Sequence, residues 1–176
     1  MTEGRSTPFN MSEDKVSRLF VYGTLKQAQA HGDLLQSLAL RVDPATTRGQ
    51  LLDLGLFPGL VRGEGVVHGE LMTFPVMHLA TVLAVVDHLE GFVEGDPAAS
   101  LFLREQIVAE TEQGDLVDAI AYFYNQSHPD SLPQEETVLL ATGRWDGSSR
   151  NVLGATEGFL RFTNHVQDFQ NEGQKP

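Results

Sequence analysis

The chain reads as an α+β protein, a small mixed or closed barrel-like β-sheet with a few flanking helices. Two observations point there. Short apolar runs bounded by Gly, Pro or Asp recur along the sequence and have the character of strands. Only one long segment carries convincing helical spacing, and the runs do not alternate strictly with helices, which favours a curved or closed sheet.

Taken in order, residues 1–16 are rich in Ser, Glu, Gly and Lys and read as a flexible tail. A single domain is expected over residues 17–170, with 171–176 a frayed end. Strands are expected at Arg18–Tyr22, Thr47–Leu54, Val66–Thr73, Arg104–Glu110 and Val117–Tyr124. In the last, Val117, Ala119, Ala121 and Phe123 share one face while Asp118, Ile120, Tyr122 and Tyr124 share the other. That alternation suits a strand buried on one side and lining something partly polar on the other. Gln113-Gly114-Asp115 separates two of these runs as a hairpin turn. Leu56-Phe57-Pro58-Gly59-Leu60 reads as a turn framed by apolar residues.

The helix is Val76 to about Leu89, where Val76, Leu79, Ala80, Leu83, Val86 and Leu89 fall at helical spacing. Pro75 suits its first turn and Gly91 its stop. A shorter helix is expected over Gln134–Leu140, and a third near the C-terminus, where Phe159, Phe162, Val166 and Phe169 share a face. The single tryptophan, Trp145, is expected to anchor the segment around it by burial.

Composition narrows the function. The 176 residues are 41% hydrophobic and 20% charged, as in an ordinary globular domain. A formal net charge of −12, with no cluster of Lys or Arg, argues against a nucleic-acid partner. The absence of cysteine removes disulfides, thiolate metal sites and cysteine nucleophiles, and suits the cytoplasm. The longest apolar run, Leu79–Val86, is too short for a membrane span, and the first residues lack the apolar core of a signal peptide. A cytoplasmic protein with no membrane partner is therefore expected.

Two segments carry candidate chemistry. Leu19-Phe20-Val21 reads as a buried strand that runs into Tyr22-Gly23-Thr24-Leu25. An ordinary turn would look the same. A turn of this composition can also present successive N–H groups as an anion-binding concavity, with glycine permitting close approach. The second segment is Asp87-His88-Leu89-Glu90-Gly91-Phe92, at the expected helix end. A carboxylate there faces the negative end of the helix dipole, and apolar neighbours Leu89 and Phe92 would raise its pKa further. Glu90 is then either a solvated residue at a fraying end or a general base and acid tuned toward neutrality. Asp87, three residues earlier, is expected to point to water or bond nearby backbone.

Other chemistries lose their anchors. The histidines at 31, 68, 78, 88, 128 and 165 have no close metal-binding spacing, and no metal or cofactor is expected. Nucleophile-elbow, phosphate-loop and dinucleotide-binding glycine motifs are all missing.

Three segments together, Phe20-Val21-Tyr22-Gly23-Thr24-Leu25-Lys26, Phe57-Pro58-Gly59 and Asp87-x-Leu89-Glu90-Gly91-Phe92, resemble the γ-glutamylcyclotransferase family, and more narrowly its AIG2-like branch. Arg104 after an aromatic, Ala121-Tyr122-Phe123-Tyr124 and Gly143-x-Trp145 follow in the family's order, so the resemblance covers roughly residues 18–146. It implies a mixed α/β fold around a small barrel-like sheet with a pocket at one end. It implies that Tyr22, Gly23, Thr24 and Leu25 hold a small γ-glutamyl substrate and that Glu90 is catalytic. The implied reaction turns a γ-glutamyl amine or γ-glutamyl amino acid into 5-oxoproline and the free amine, without a cofactor. Phe57, Phe102 and Tyr124 are candidate pocket walls.

The family usually carries Tyr where this chain has Phe102, and often Gly and Asn near Ala28 and His31. Phe102 keeps alive a binding protein that has lost turnover. Transfer of the glutamyl group to an external amine is a third option.

Overall fold

In a computed structural model of the chain, the described residues are 16–147 without 28 and 30. Five strands close into a barrel. β1 (Val16–Val21) pairs antiparallel with β3 (Pro58–Pro75), and β3 pairs antiparallel with β2 (Arg41–Asp53). β2 pairs antiparallel with β4 (Phe102–Thr111), β4 with β5 (Leu116–Tyr124), and β5 returns parallel to β1, with Leu19 opposite Ile120. Closure leaves no free edge around the ring. A two-residue β6 (Val138–Leu139) adds to the end of β2.

Strand alternation sorts the apolar residues into two cores. Phe20, Leu51, Leu60, Val67, Leu71 and Ala121 fill the barrel interior together with Trp145. Leu19, Val21, Met72 and Phe74 project the other way, onto Val82, Val86 and Leu89 of the long helix. Both faces of β5 are therefore buried near its end, with Phe123 inside and Tyr122 and Tyr124 outside.

A short helix, α1 (Asp33–Gln36), leads from the first turn toward β2. The long helix, α2 (Leu79–Glu90), follows a single 3-10 turn over Val76–His78, so Pro75 ends β3 instead of entering the helix. Its buried stripe is Val82, Val86 and Leu89, while Val76 and Ala80 lie exposed. Each of these buried side chains contributes on the order of 1.5–3 kcal/mol before chain entropy is counted.

Gly91 stops the helix in the left-handed conformation, φ 64° and ψ 36°, which an L side chain adopts only with strain. Its N–H and that of Phe92 both bond the Asp87 carbonyl. This cap fixes Glu90 as the last helical residue.

Several expectations need correction. The segment 56–60 is not all turn: β3 already begins at Pro58, and the chain reverses between Leu54 and Phe57, whose amide and carbonyl bond at 3.1 Å. Gln134–Leu140 is not a helix. After Pro133 only one 3-10 turn forms, and Val138 and Leu139 then pair with Asp53 and Leu52 at the edge of β2. Val16, assigned to the tail, opens β1 opposite Pro75. The hairpin at Gln113–Asp115 is present, closed by the Thr111 amide on the Asp115 carbonyl. The helix expected near Phe159–Phe169 lies outside the described residues.

Candidate active site

β1 delivers the chain to a turn over Tyr22–Leu25, packed against the start of β3. An added Cβ on Gly23 would sit 2.8 Å from Pro58 Cγ, so glycine is needed there for close approach. Lys26 then donates from its backbone to the Gly23 carbonyl, and His31 to that of Thr24. Among the described residues, none accepts from the amides of Gly23, Thr24 or Leu25.

The turn and the helix end share one pocket. Its wall includes Tyr22, Gly23, Thr24 and Leu25 of the turn, Leu89 and Glu90 of the helix end, and Phe57, Pro58 and Tyr122. Its cavity volume is about 40 Å³. The carboxylate and the turn amides are therefore neighbours in space, although far apart in the chain.

Burial raises the Glu90 carboxyl from 4.5 to about 8. The helix dipole acts in the same direction. Burial raises the pKa of both Tyr22 and Tyr122; the Glu90 charge adds to it at Tyr22, and at Tyr122 it follows the hydrogen bond and charge of Asp87. Among the described residues, no Lys, Arg or His lines this pocket, and Glu90 is its one carboxyl.

Hydrogen bonds assign the two tyrosines. Tyr22 Oη donates to the Tyr122 carbonyl at 2.6 Å and accepts from the Leu60 amide. Its hydroxyl is thus spent on the barrel, and Tyr22 meets the pocket with its ring and backbone. Tyr122 Oη donates to Asp87 Oδ1 at 2.5 Å, and Arg104 Nη1 lies 2.5 Å from Asp87 Oδ2. Arg104 stacks over Phe92, 4.6 Å from the ring centroid.

Residues 19–147 match the family model described as Gamma-glutamyl cyclotransferase, AIG2-like. The chain belongs to this family. It is 41% identical over 54 residues to "Gamma-glutamylcyclotransferase family protein YtfP" of Escherichia coli K12, a stretch covering 31% of this chain and 48% of that protein. The chain thus spans about half the length of the curated relatives it matches. Among solved structures it is similar to YkqA from Bacillus subtilis, with a TM-score of 0.50 and 25% identity over 74% of this chain and 39% of the other. The solution structure of ytfP from Escherichia coli gives a TM-score of 0.48 and 28% identity, covering 73% of this chain and 95% of that one.

Within this member of the AIG2-like family, every residue of the expected turn and Glu90 come together in the pocket, and so does Phe57. Phe102 and Tyr124 do not reach it. Phe102 stands behind Phe57, with ring centroids 6.0 Å apart, and Tyr124 stands behind Phe102 at 5.4 Å. The Tyr124 hydroxyl is occupied by the Leu132 amide at 2.7 Å. Asp87 also differs from expectation, bonding Tyr122 and Arg104 across the fold instead of water or local backbone. Its i, i+3 spacing to Glu90 was the available signal; the partners on β4 and β5 have no local signature. Among the described residues, no group of three or more His, Cys, Asp or Glu could hold a metal ion, and no helix is long and apolar enough to cross a membrane.

Proposed function

We propose that the chain is a γ-glutamylcyclotransferase acting on a small γ-glutamyl amine or γ-glutamyl amino acid, with Glu90 moving the protons. The observation that carries this reading is one pocket lined both by Glu90, whose buried carboxyl is raised to about 8, and by Gly23, Thr24 and Leu25, whose amides have no acceptor among the described residues.

The chemistry is an intramolecular displacement. The α-amino nitrogen of the glutamyl group attacks its own γ-carbonyl carbon, and a new C–N bond closes the five-membered ring. The C–N bond to the amine then breaks, and 5-oxoproline and the free amine leave. The α-ammonium nitrogen must lose two protons to become the lactam N–H: ionised Glu90 takes the first before attack and returns it to the departing nitrogen, then takes the second from the ring nitrogen and passes it to the released amine or solvent. A pKa near the working pH suits one group to these transfers. The turn amides are donors for the substrate carboxylate or for the oxygen on which charge develops. Holding the two ends of the substrate together contributes on the order of 7–11 kcal/mol to lowering the barrier. No step calls for a cofactor, and a cysteine-free chain fits a cytoplasmic setting.

The binding-only alternative loses its main support, because Phe102 is buried behind Phe57, away from the pocket surface. The test is to incubate the purified protein with a panel of γ-glutamyl amines and amino acids. Equal amounts of 5-oxoproline and free amine are expected, and Glu90→Gln should lower kcat by about 10²–10⁴-fold with the fold retained. Full activity in Glu90→Gln would remove Glu90 from the mechanism, and a new amide in place of 5-oxoproline would reassign the reaction to acyl transfer.

A further inference from the structure

The three residues Asp87, Arg104 and Tyr122 form a chain of contacts that reaches the pocket from behind. A tyrosine hydroxyl has one proton to give, and an ionised carboxylate only accepts. At 2.5 Å from Asp87 Oδ1, the Tyr122 proton is directed at the carboxylate. Arg104 occupies the other oxygen, Asp87 Oδ2, and is itself held over the ring of Phe92 with Glu94 3.6 Å from its Nη2. Asp87 therefore cannot turn away from Tyr122 without giving up its ion pair. Tyr122 is also part of the pocket wall that includes Glu90. What its oxygen has left to offer a ligand is lone pairs.

The pocket is consequently polarised. The turn carries N–H donors, and the same wall carries Tyr122, whose hydroxyl proton is committed to Asp87, and Glu90, an acceptor in its ionised form. The second tyrosine hydroxyl does not blur this pattern, because Tyr22 Oη is engaged by the Tyr122 carbonyl and the Leu60 amide. A ligand with anionic or carbonyl oxygens at one end and an ammonium group at the other matches such a wall.

We propose that Tyr122 is a specificity-determining residue that accepts a hydrogen bond from the α-ammonium group of the ligand, and that Asp87 and Arg104 are positioning residues that keep its proton turned away. This rests on the reading of the pocket as a γ-glutamyl site. It assigns the recognition of the amino end to β5 and the helix, and leaves the acidic end to the Tyr22–Leu25 turn.

The experiment uses two non-reacting ligands and calorimetric titration of the whole chain. One is a γ-sulfonamide analogue of a γ-glutamyl amine, which keeps the α-amino group but lacks the carbonyl carbon required for ring closure. The other is its counterpart without the α-amino group. The unaltered protein is expected to bind the first at least about tenfold more tightly, as a hydrogen bond from a charged donor implies. Tyr122→Phe should cut that ratio by about tenfold while leaving the affinity for the deamino ligand within about threefold. Asp87→Ala should cut the ratio similarly, because it lets the hydroxyl proton turn into the pocket. A purely structural role would weaken both ligands alike.

An unchanged ratio in Tyr122→Phe would overturn the proposal, as would an unaltered protein that shows no preference between the ligands. If Asp87→Ala fails to fold, the near-isosteric Tyr122→Phe decides alone. The cyclotransferase reading stands or falls separately, on release of 5-oxoproline from the reactive amide.

Discussion

The hydroxyl of Tyr22 donates to the backbone carbonyl of Tyr122 at 2.6 Å, tying the end of β1 to β5 beneath the candidate pocket. The Leu60 amide approaches the same oxygen, and burial, followed by the charge of Glu90, raises the Tyr22 pKa. Tyr22→Phe leaves that carbonyl and amide without their shared partner in a buried place. It should cost about 1–3 kcal/mol of stability. Turnover should stay within a few-fold, since the hydroxyl has no proton to spare for chemistry. Thermal unfolding and 5-oxoproline release measured on the same preparation check both halves. A hundredfold loss of kcat at unchanged melting temperature would put the hydroxyl in the reaction.

The raised carboxyl of Glu90 makes a kinetic prediction. If its ionised form is the base, kcat/KM should climb about tenfold per pH unit below its pKa and level off near pH 8, the value burial imposes. A plateau reached near pH 5, as for an ordinary carboxylate, would exclude this role.

The same shift has a consequence for stability, with the sign opposite to that of a paired carboxylate. In the folded protein Glu90 holds its proton up to about pH 8, whereas in the unfolded chain it loses it near 4.5. Between those values the folded state binds more protons, so stability falls as pH rises through this window. Glu90→Gln removes the effect. The variant should match the unaltered protein at pH 4.5 and exceed it at pH 8 by on the order of 1–4 kcal/mol. Denaturant melts at the two pH values decide it, and a difference that shrinks with pH would contradict the burial of this carboxyl.

What was legible in the sequence was local. β1, β4, β5 and the end of α2 follow the two apolar periods, and Gly91 marks the stop that places Glu90. β3 was harder, because its 18 residues run through the exposed stretch Arg62-Gly63-Glu64, which carries no apolar pattern and lies where the register with β2 shifts, between Val61 and Val66. Gln134–Leu140 was misread because its order comes from an edge of β2 that the local sequence does not announce. The site divides in the same way. Tyr22–Leu25 and Glu90 sit at the ends of readable elements, so their types and positions were informative. Asp87 acquires its role from Arg104 on β4 and Tyr122 on β5, contacts that exist only after the barrel closes. Phe102 looked like a change in the pocket because sequence order cannot distinguish the pocket wall from the layer behind it.

The last prediction concerns how the donor turn is held. Lys26 Nζ donates to the Trp145 carbonyl at 2.6 Å, and the Gln27 amide donates to Glu70 Oε2 at 2.8 Å, so both residues that follow the turn are tied to the body of the barrel. Burial lowers the Lys26 pKa, while Glu70 and Asp146 oppose that and favour the charged form. The ammonium is thus a tether for the turn and stands outside the pocket wall. Lys26→Met keeps the length and apolar body of the side chain but removes the bond to Trp145. It should loosen the Gly23–Leu25 amides, raising KM by about 5–30-fold, the range of a hydrogen bond worth roughly 1–2 kcal/mol. The shape of the pH profile should persist, because Glu90 is positioned independently by the cap at Gly91. Steady-state kinetics across pH read both quantities together. A displaced pH profile with KM unchanged would mean that Lys26 acts on the charge of Glu90 and not on the turn.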